Sequence, residues 1–151
     1  MKKYILLSFV LSFSTMAEAQ TNTSFNSDNP HFLADIYNDS WALIIGINSY
    51  KNMPKLNYAV NDAISVKEML MSSYNFKEDN IKIILDDEAT KDNILEGFHN
   101  LLQQSKEKDR VLIFYAGHGE TYKLPSGGDM GYLIPVDGNL DNLYLSSIPM
   151  K

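Results

Sequence analysis

Residues Val111 to Glu120 read VLIFYAGHGE, five apolar residues running directly into a histidine with a glycine on either side. An unbroken β-branched and aromatic run of this length predicts a strand buried on both faces, as in the parallel sheet of an α/β domain. The histidine then falls at a strand's carboxyl end. Ligands and chemistry collect at that end of open α/β sheets, and Gly117 and Gly119 predict a sharp turn where the backbone approaches a substrate. His118 is therefore the first candidate functional residue.

The other elements follow from the same periodicities. Trp41 to Asn48 (WALIIGIN) is a second continuous apolar run and predicts the first buried strand, with a loop opening at Asn48-Ser49-Tyr50. The stretch from Asn52 to Leu56, with Pro54 inside it, predicts a loop over the same edge as His118. Asn57 is a candidate cap for a helix to about Tyr74, since Val60, Ala63, Ile64, Leu70, Met71 and Tyr74 recur at helical spacing. Asp62 falls in the first turn of that helix, where the helix dipole alone accounts for a carboxylate. Ile81 to Leu85 predicts a short strand, and the acidic Asp86-Asp87-Glu88 after it reads as a solvated loop, having no histidine at ligand spacing. Thr90 predicts the cap of a second helix with the stripe Ile94, Leu95, Phe98, Leu101 and Leu102, and with His99 on its surface. Tyr132 to Val136 predicts a fourth strand, at an edge or bulge because Pro135 interrupts it.

The ends of the chain differ in character. Lys2 and Lys3, an apolar run from Ile5 to Phe13 and the small-x-small triplet Ala17-Glu18-Ala19 have the layout of a secretory signal peptide over residues 1–19. The run is too short to span a bilayer, so export with cleavage after Ala19, to a periplasmic or extracellular location, is the expectation. Residues 20–39 read as a flexible polar leader in which His31 is a solvated residue. Residues 40–151 then form one domain, in keeping with 151 residues of which 44% are hydrophobic. A formal net charge of -6 with no basic stripe argues against nucleic acid as a partner. The chain has no cysteine, which excludes disulfides and thiol chemistry from its own residues.

A histidine at a strand end suits general base work, since its unperturbed pKa lies near neutral pH, and the Gly119 N–H is a candidate donor to a developing oxyanion. No G-x-S-x-G elbow, P-loop or dinucleotide fingerprint accompanies it, so no cofactor is expected. Ser126, Ser146 and Ser147 stand in no activating context.

WALIIGINSY, the LNYAVNDAISVKEML helix, and VLIFYAGHGE followed by GYLIPVDG together resemble the amino-terminal, histidine-bearing half of the caspase-type cysteine peptidases, nearest their bacterial and metacaspase-like branch. The resemblance spans about Trp41 to Met150. It implies a three-layer α/β/α sandwich with a mainly parallel sheet, truncated before the strand that ends in the nucleophilic cysteine. It makes His118 the catalytic histidine, Gly119 the oxyanion donor, and Asp62 a wall of the substrate pocket that suits Arg or Lys before the cleaved bond. No calcium site is expected, because Ser146-Ser147 stand where some metacaspases have acidic residues, with Asp137 as a remnant. The implied partners are a peptide or protein substrate and a complementing cysteine-bearing half or partner strand. The competing reading is a non-catalytic caspase-homology module that binds peptides or partner proteins. A Rossmann-like small-molecule binder is disfavoured by the missing phosphate fingerprint.

Overall fold

The computed structural model describes residues 5–13 and 37–150, the first of these stretches by its backbone alone. The expected cleavage site at Ala19, the leader up to residue 36 and His31 lie outside the described residues. The elements in chain order are β1 (Ile5–Phe13), β2 (Ser40–Gly46), α1 (Ala59–Ser73), β3 (Ile81–Leu85), α2 (Lys91–Gln104), β4 (Arg110–Lys123), β5 (Asp129–Leu133), α3 (Leu143–Ser146) and β6 (Ile148–Met150).

The sheet runs β3-β2-β4-β5-β6, with β1 paired to β4. Alternation along β2 builds both cores. Ala42 and Ile44 pack with Ala59, Ala63 and Leu70 of α1, while Leu43 and Ile45 pack with Ile94 and Leu101 of α2. Successive strand residues point to opposite faces, so the two helices cover opposite sides and the architecture is three-layered. Gly46 permits the close approach of α1: a Cβ there would sit 2.7 Å from both the Ala59 carbonyl oxygen and the Ala63 Cβ.

The sheet is mixed and not mainly parallel. β3, β2 and β4 are parallel, whereas β5, β6 and β1 run antiparallel to their partners. The physical reason is that β4 does not end at His118. It continues to Lys123 and folds back into β5 through a loop in which Gly127 and Gly128, both at φ 91°, supply the reversal. The sharp turn expected at Gly117 and Gly119 is therefore displaced by about ten residues along the chain.

Three further expectations are corrected. The fourth strand spans Asp129–Leu133, and Pro135 lies beyond it. After Leu133 the chain leaves the ladder, and Val136 donates its N–H to the carbonyl of Ala89, just before the Thr90 cap of α2, instead. Asn57 does not cap α1: the cap position is Tyr58, and the Asn48 side chain reaches over from the β2 loop to accept from the Val60 N–H at 3.4 Å. Ile64, Met71 and Tyr74 are exposed, as are Leu95 and Leu102 of α2, so each helix buries a narrower stripe than its apolar residues outline. Thr90 does cap α2, accepting from the Asn93 N–H.

β1 lies antiparallel along β4, from Ile5 opposite Gly119 to Phe13 opposite Val111. The β4 edge that the sequence leaves without an obvious neighbour is thus paired in this chain.

Candidate active site

β2 ends beside the middle of β4, with Gly46 opposite Ala116. Beyond that pair β4 exchanges neighbours: the ladder to β2 stops at Ala116 and the ladder to β5 starts at Gly119. Gly117 and His118 occupy the gap. On this edge, opposite to β1, ladder bonds are missing there, and other groups take up the backbone of His118. Its N–H donates to the Tyr50 hydroxyl at 2.7 Å, and its carbonyl accepts from the Ile134 N–H at 3.0 Å.

The Tyr115 hydroxyl lies 2.7 Å from the Ile134 carbonyl, 3.0 Å from that of His118 and 3.3 Å from the Tyr50 hydroxyl. A tyrosine has one proton to donate, and carbonyls only accept. Tyr115 therefore spends its proton on a carbonyl, and the proton of Tyr50 points to the Tyr115 oxygen. Burial pushes the Tyr50 hydroxyl up to about 12 and the Tyr115 hydroxyl well above its ordinary range. Both stay neutral at physiological pH.

This hydroxyl pair explains Gly117. A Cβ at that position would collide with the Tyr50 hydroxyl and lie 2.7 Å from that of Tyr115. The glycine makes room for two side chains, and it is not a turn residue here.

The imidazole is buried, 2% exposed, with the Tyr50 ring against it at a centroid distance of 4.7 Å and an angle of 55°. Nε2 lies 2.9 Å from the Pro54 carbonyl, so the expected loop over the histidine is present. Because a carbonyl cannot donate, Nε2 carries the hydrogen and Nδ1 is the basic nitrogen of the neutral ring.

Peptide groups of a strand point alternately to its two edges. His118 turns its own toward Tyr50 and Ile134, so the N–H of Gly119 faces the other edge, where Ile5 of β1 stands opposite it. Asp62 lies in the first turn of α1, above Gly46 and thus at the same end of the sheet as His118. Its side chain is exposed, and no described hydrogen bond or ion pair joins it to His118.

The acidic loop after β3 is not wholly a solvated segment. Asp86, at φ 41°, accepts from the N–H groups of Asn48 and Ser49 at 2.7 and 2.9 Å and so holds the loop that carries Tyr50. Asp137 accepts from the Lys91 N–H and caps the start of α2. No cluster of metal-ligating side chains is present among the described residues. A surface depression lined by Trp41, Asn80 and Gln104 belongs to the amino end of β2, away from His118.

Tyr50, Tyr115, Pro54 and Asp86 are absent from the residues that sequence reasoning singled out as functional. The only signal was positional, in that Tyr50 and Pro54 stand in loops expected at the strand's carboxyl end.

Residues 39–150 match the family pattern described as the caspase domain, most of the chain. The chain belongs to the caspase-domain family. Among curated relatives of this caspase domain, metacaspase-1 of Eremothecium gossypii is 37% identical over 106 residues, 64% of this chain and 24% of the relative. Metacaspase-6 of Arabidopsis thaliana is 33% identical over 109 residues, 66% of this chain and 30% of the relative. The match thus covers 24% to 30% of the length of these metacaspases. No helix of the described residues is long and apolar enough to cross a membrane.

Proposed function

We propose that this caspase domain supplies the general base and oxyanion donor of a cysteine endopeptidase whose thiol comes from outside the present 151 residues. The observation that carries the reading is the Nε2 bond to Pro54, because a ring that donates from Nε2 has Nδ1 as its basic nitrogen. In this scheme Nδ1 of His118 takes the proton of an incoming cysteine thiol, and the thiolate attacks the peptide carbonyl carbon. The Gly119 N–H donates to the resulting oxyanion, and the imidazolium returns its proton to the departing amine. Water then releases the acyl group with the same histidine as base.

Asp62 is proposed to favour Arg or Lys before the cleaved bond, with exposure limiting its effect. A carboxylate in solvent contributes well below what a desolvated pair does, so we expect a bias and not an absolute requirement. The test is complementation: the chain is mixed with a cysteine-bearing caspase-domain segment and offered Arg-, Lys- and Ala-terminated fluorogenic peptides. Cleavage that needs both parts, disappears in His118→Ala and loses only its basic bias in Asp62→Asn is the expected result. Undiminished cleavage by His118→Ala would remove the base assignment.

The cysteine-free composition favours a second reading, a non-catalytic module that binds peptides. Saturable peptide binding with no cleavage under complementation, unaffected by His118→Ala, would establish it. Residues 1–19 are further proposed to direct export, which amino-terminal sequencing of secreted protein tests through a start at Gln20.

A further inference from the structure

We propose that Tyr50 is a positioning residue for His118, orienting the imidazole through the hydroxyl chain it shares with Tyr115. The inference rests on the reading of His118 as a base, and its geometry is independent of where the thiol comes from.

The polarity of the chain follows from proton counting. The His118 N–H donates to Tyr50, Tyr50 to Tyr115, and Tyr115 to the carbonyl pair of Ile134 and His118. It begins and ends on the backbone of β4 and of the segment after β5, so it closes a ring at the gap between the β2 and β5 ladders of β4. Tyr50 acts on both parts of the histidine at once. Its hydroxyl fixes the main chain, and its ring, tilted against the imidazole, closes one side of the volume the side chain occupies. With the Pro54 carbonyl on Nε2, one loop, residues 48–56, contacts the ring twice. That loop is itself tied down by Asp86 on the Asn48 and Ser49 N–H groups, by the Leu56 N–H on the Asn48 carbonyl and by the Lys51 N–H on the Val136 carbonyl.

A tyrosine retained only to fill the core would be replaceable by phenylalanine without consequence for the histidine. A positioning role demands the hydroxyl. The full chain, with 15N-labelled histidine, is compared with Tyr50→Phe and Tyr115→Phe by two-dimensional NMR that reads the nitrogen shifts of each imidazole. Circular dichroism monitors the fold, and the exposed His99 serves as internal reference.

In the parent chain the His118 ring should be predominantly the Nε2–H tautomer. In Tyr50→Phe the His118 amide resonance should move upfield and the Nε2–H to Nδ1–H ratio should fall about threefold or more, with His99 unmoved. Tyr115→Phe keeps the bond from the His118 N–H and should give a smaller change of the same sign. A folded Tyr50→Phe with parental His118 signals overturns the proposal. Should Tyr50→Phe not fold, Tyr115→Phe decides alone, and unaltered His118 signals there overturn it equally. If Tyr50→Phe moves the ring while His118→Ala leaves complemented cleavage intact, the base assignment falls and the positioning stands. The opposite pair of results removes Tyr50 and leaves the base.

Discussion

Gly117 is the residue whose replacement has the most readable cost. Its missing side chain is the space in which the Tyr50 and Tyr115 hydroxyls meet, and tyrosine oxygens anchored by hydrogen bonds have little freedom to retreat. Gly117→Ala should therefore destabilise by about 1–3 kcal/mol, the usual range for an over-packed core, as read from urea midpoints. An unchanged midpoint would mean that the hydroxyls move apart freely. Asp86→Ala should cost about 1–3 kcal/mol, because two loop N–H groups lose their acceptor, with the loss visible as faster exchange at Asn48 and Ser49. The tyrosine pair also sets an alkaline limit. Unfolded tyrosine ionises near its ordinary value of 10.0, whereas Tyr50 in the folded chain holds its proton up to about 12. Below pH 10 both states are protonated and stability is unaffected; above it the unfolded state binds fewer protons and stability falls with rising pH. Tyr50→Phe should flatten that alkaline decline, which denaturant melts between pH 9 and 12 would reveal. Among these residues His118 was legible in the sequence, because a histidine closing a strongly apolar run is rare enough to stand out. Tyr50 and Tyr115 were not, since an aromatic residue next to a core strand has the same composition whether it fills space or holds a hydrogen bond.

At the scale of elements, helix α1 is positioned by what β2 lacks. Gly46→Ala would place a methyl group 2.7 Å from the Ala59 carbonyl oxygen and the Ala63 Cβ, both fixed by the helix, so the first turn of α1 would have to lift. The expected loss is about 1–3 kcal/mol, with Asn48 and Val60 amide shifts reporting the displaced turn. A crystal structure of the variant with α1 unmoved would contradict this. Strand and helix identities were legible because β2, β3 and β4 carry runs too apolar for any exposed element, and Thr90 names the start of α2 by its own chemistry. Where β4 ends was not legible. A strand that loses one neighbour and gains another stays extended throughout, and Gly117 looked like a turn residue although the hydroxyls next door are what require it. The Asn57 cap failed for a similar reason, since Asn48, twelve residues from Val60 in sequence, supplies the acceptor. No local pattern encodes a cap that arrives from another loop.

For the molecule as a whole, the pairing of β1 with β4 decides how the chain behaves once residues before Gln20 are removed. Nine residues of β4, Val111 to Gly119, lose their antiparallel neighbour in that event, and an open strand edge offers unpaired N–H and C=O groups to any other chain. A chain beginning at Gln20 should therefore self-associate or melt at lower temperature than the chain with β1. Size-exclusion chromatography together with thermal melts of the two forms measures this, and a monomer of unchanged melting temperature would show that β4 is closed without β1. The alternation along β4 has a consequence for construction. The His118 peptide is bonded from the Tyr50 edge, whereas the Gly119 N–H faces the edge along which Leu6 and Ile5 of β1 stand opposite His118 and Gly119. The strand is thus a seam between two separable modules. A strand delivered by a different polypeptide can take the place of β1 along this edge, which suits the domain to a split reporter that lights up only when that neighbour docks.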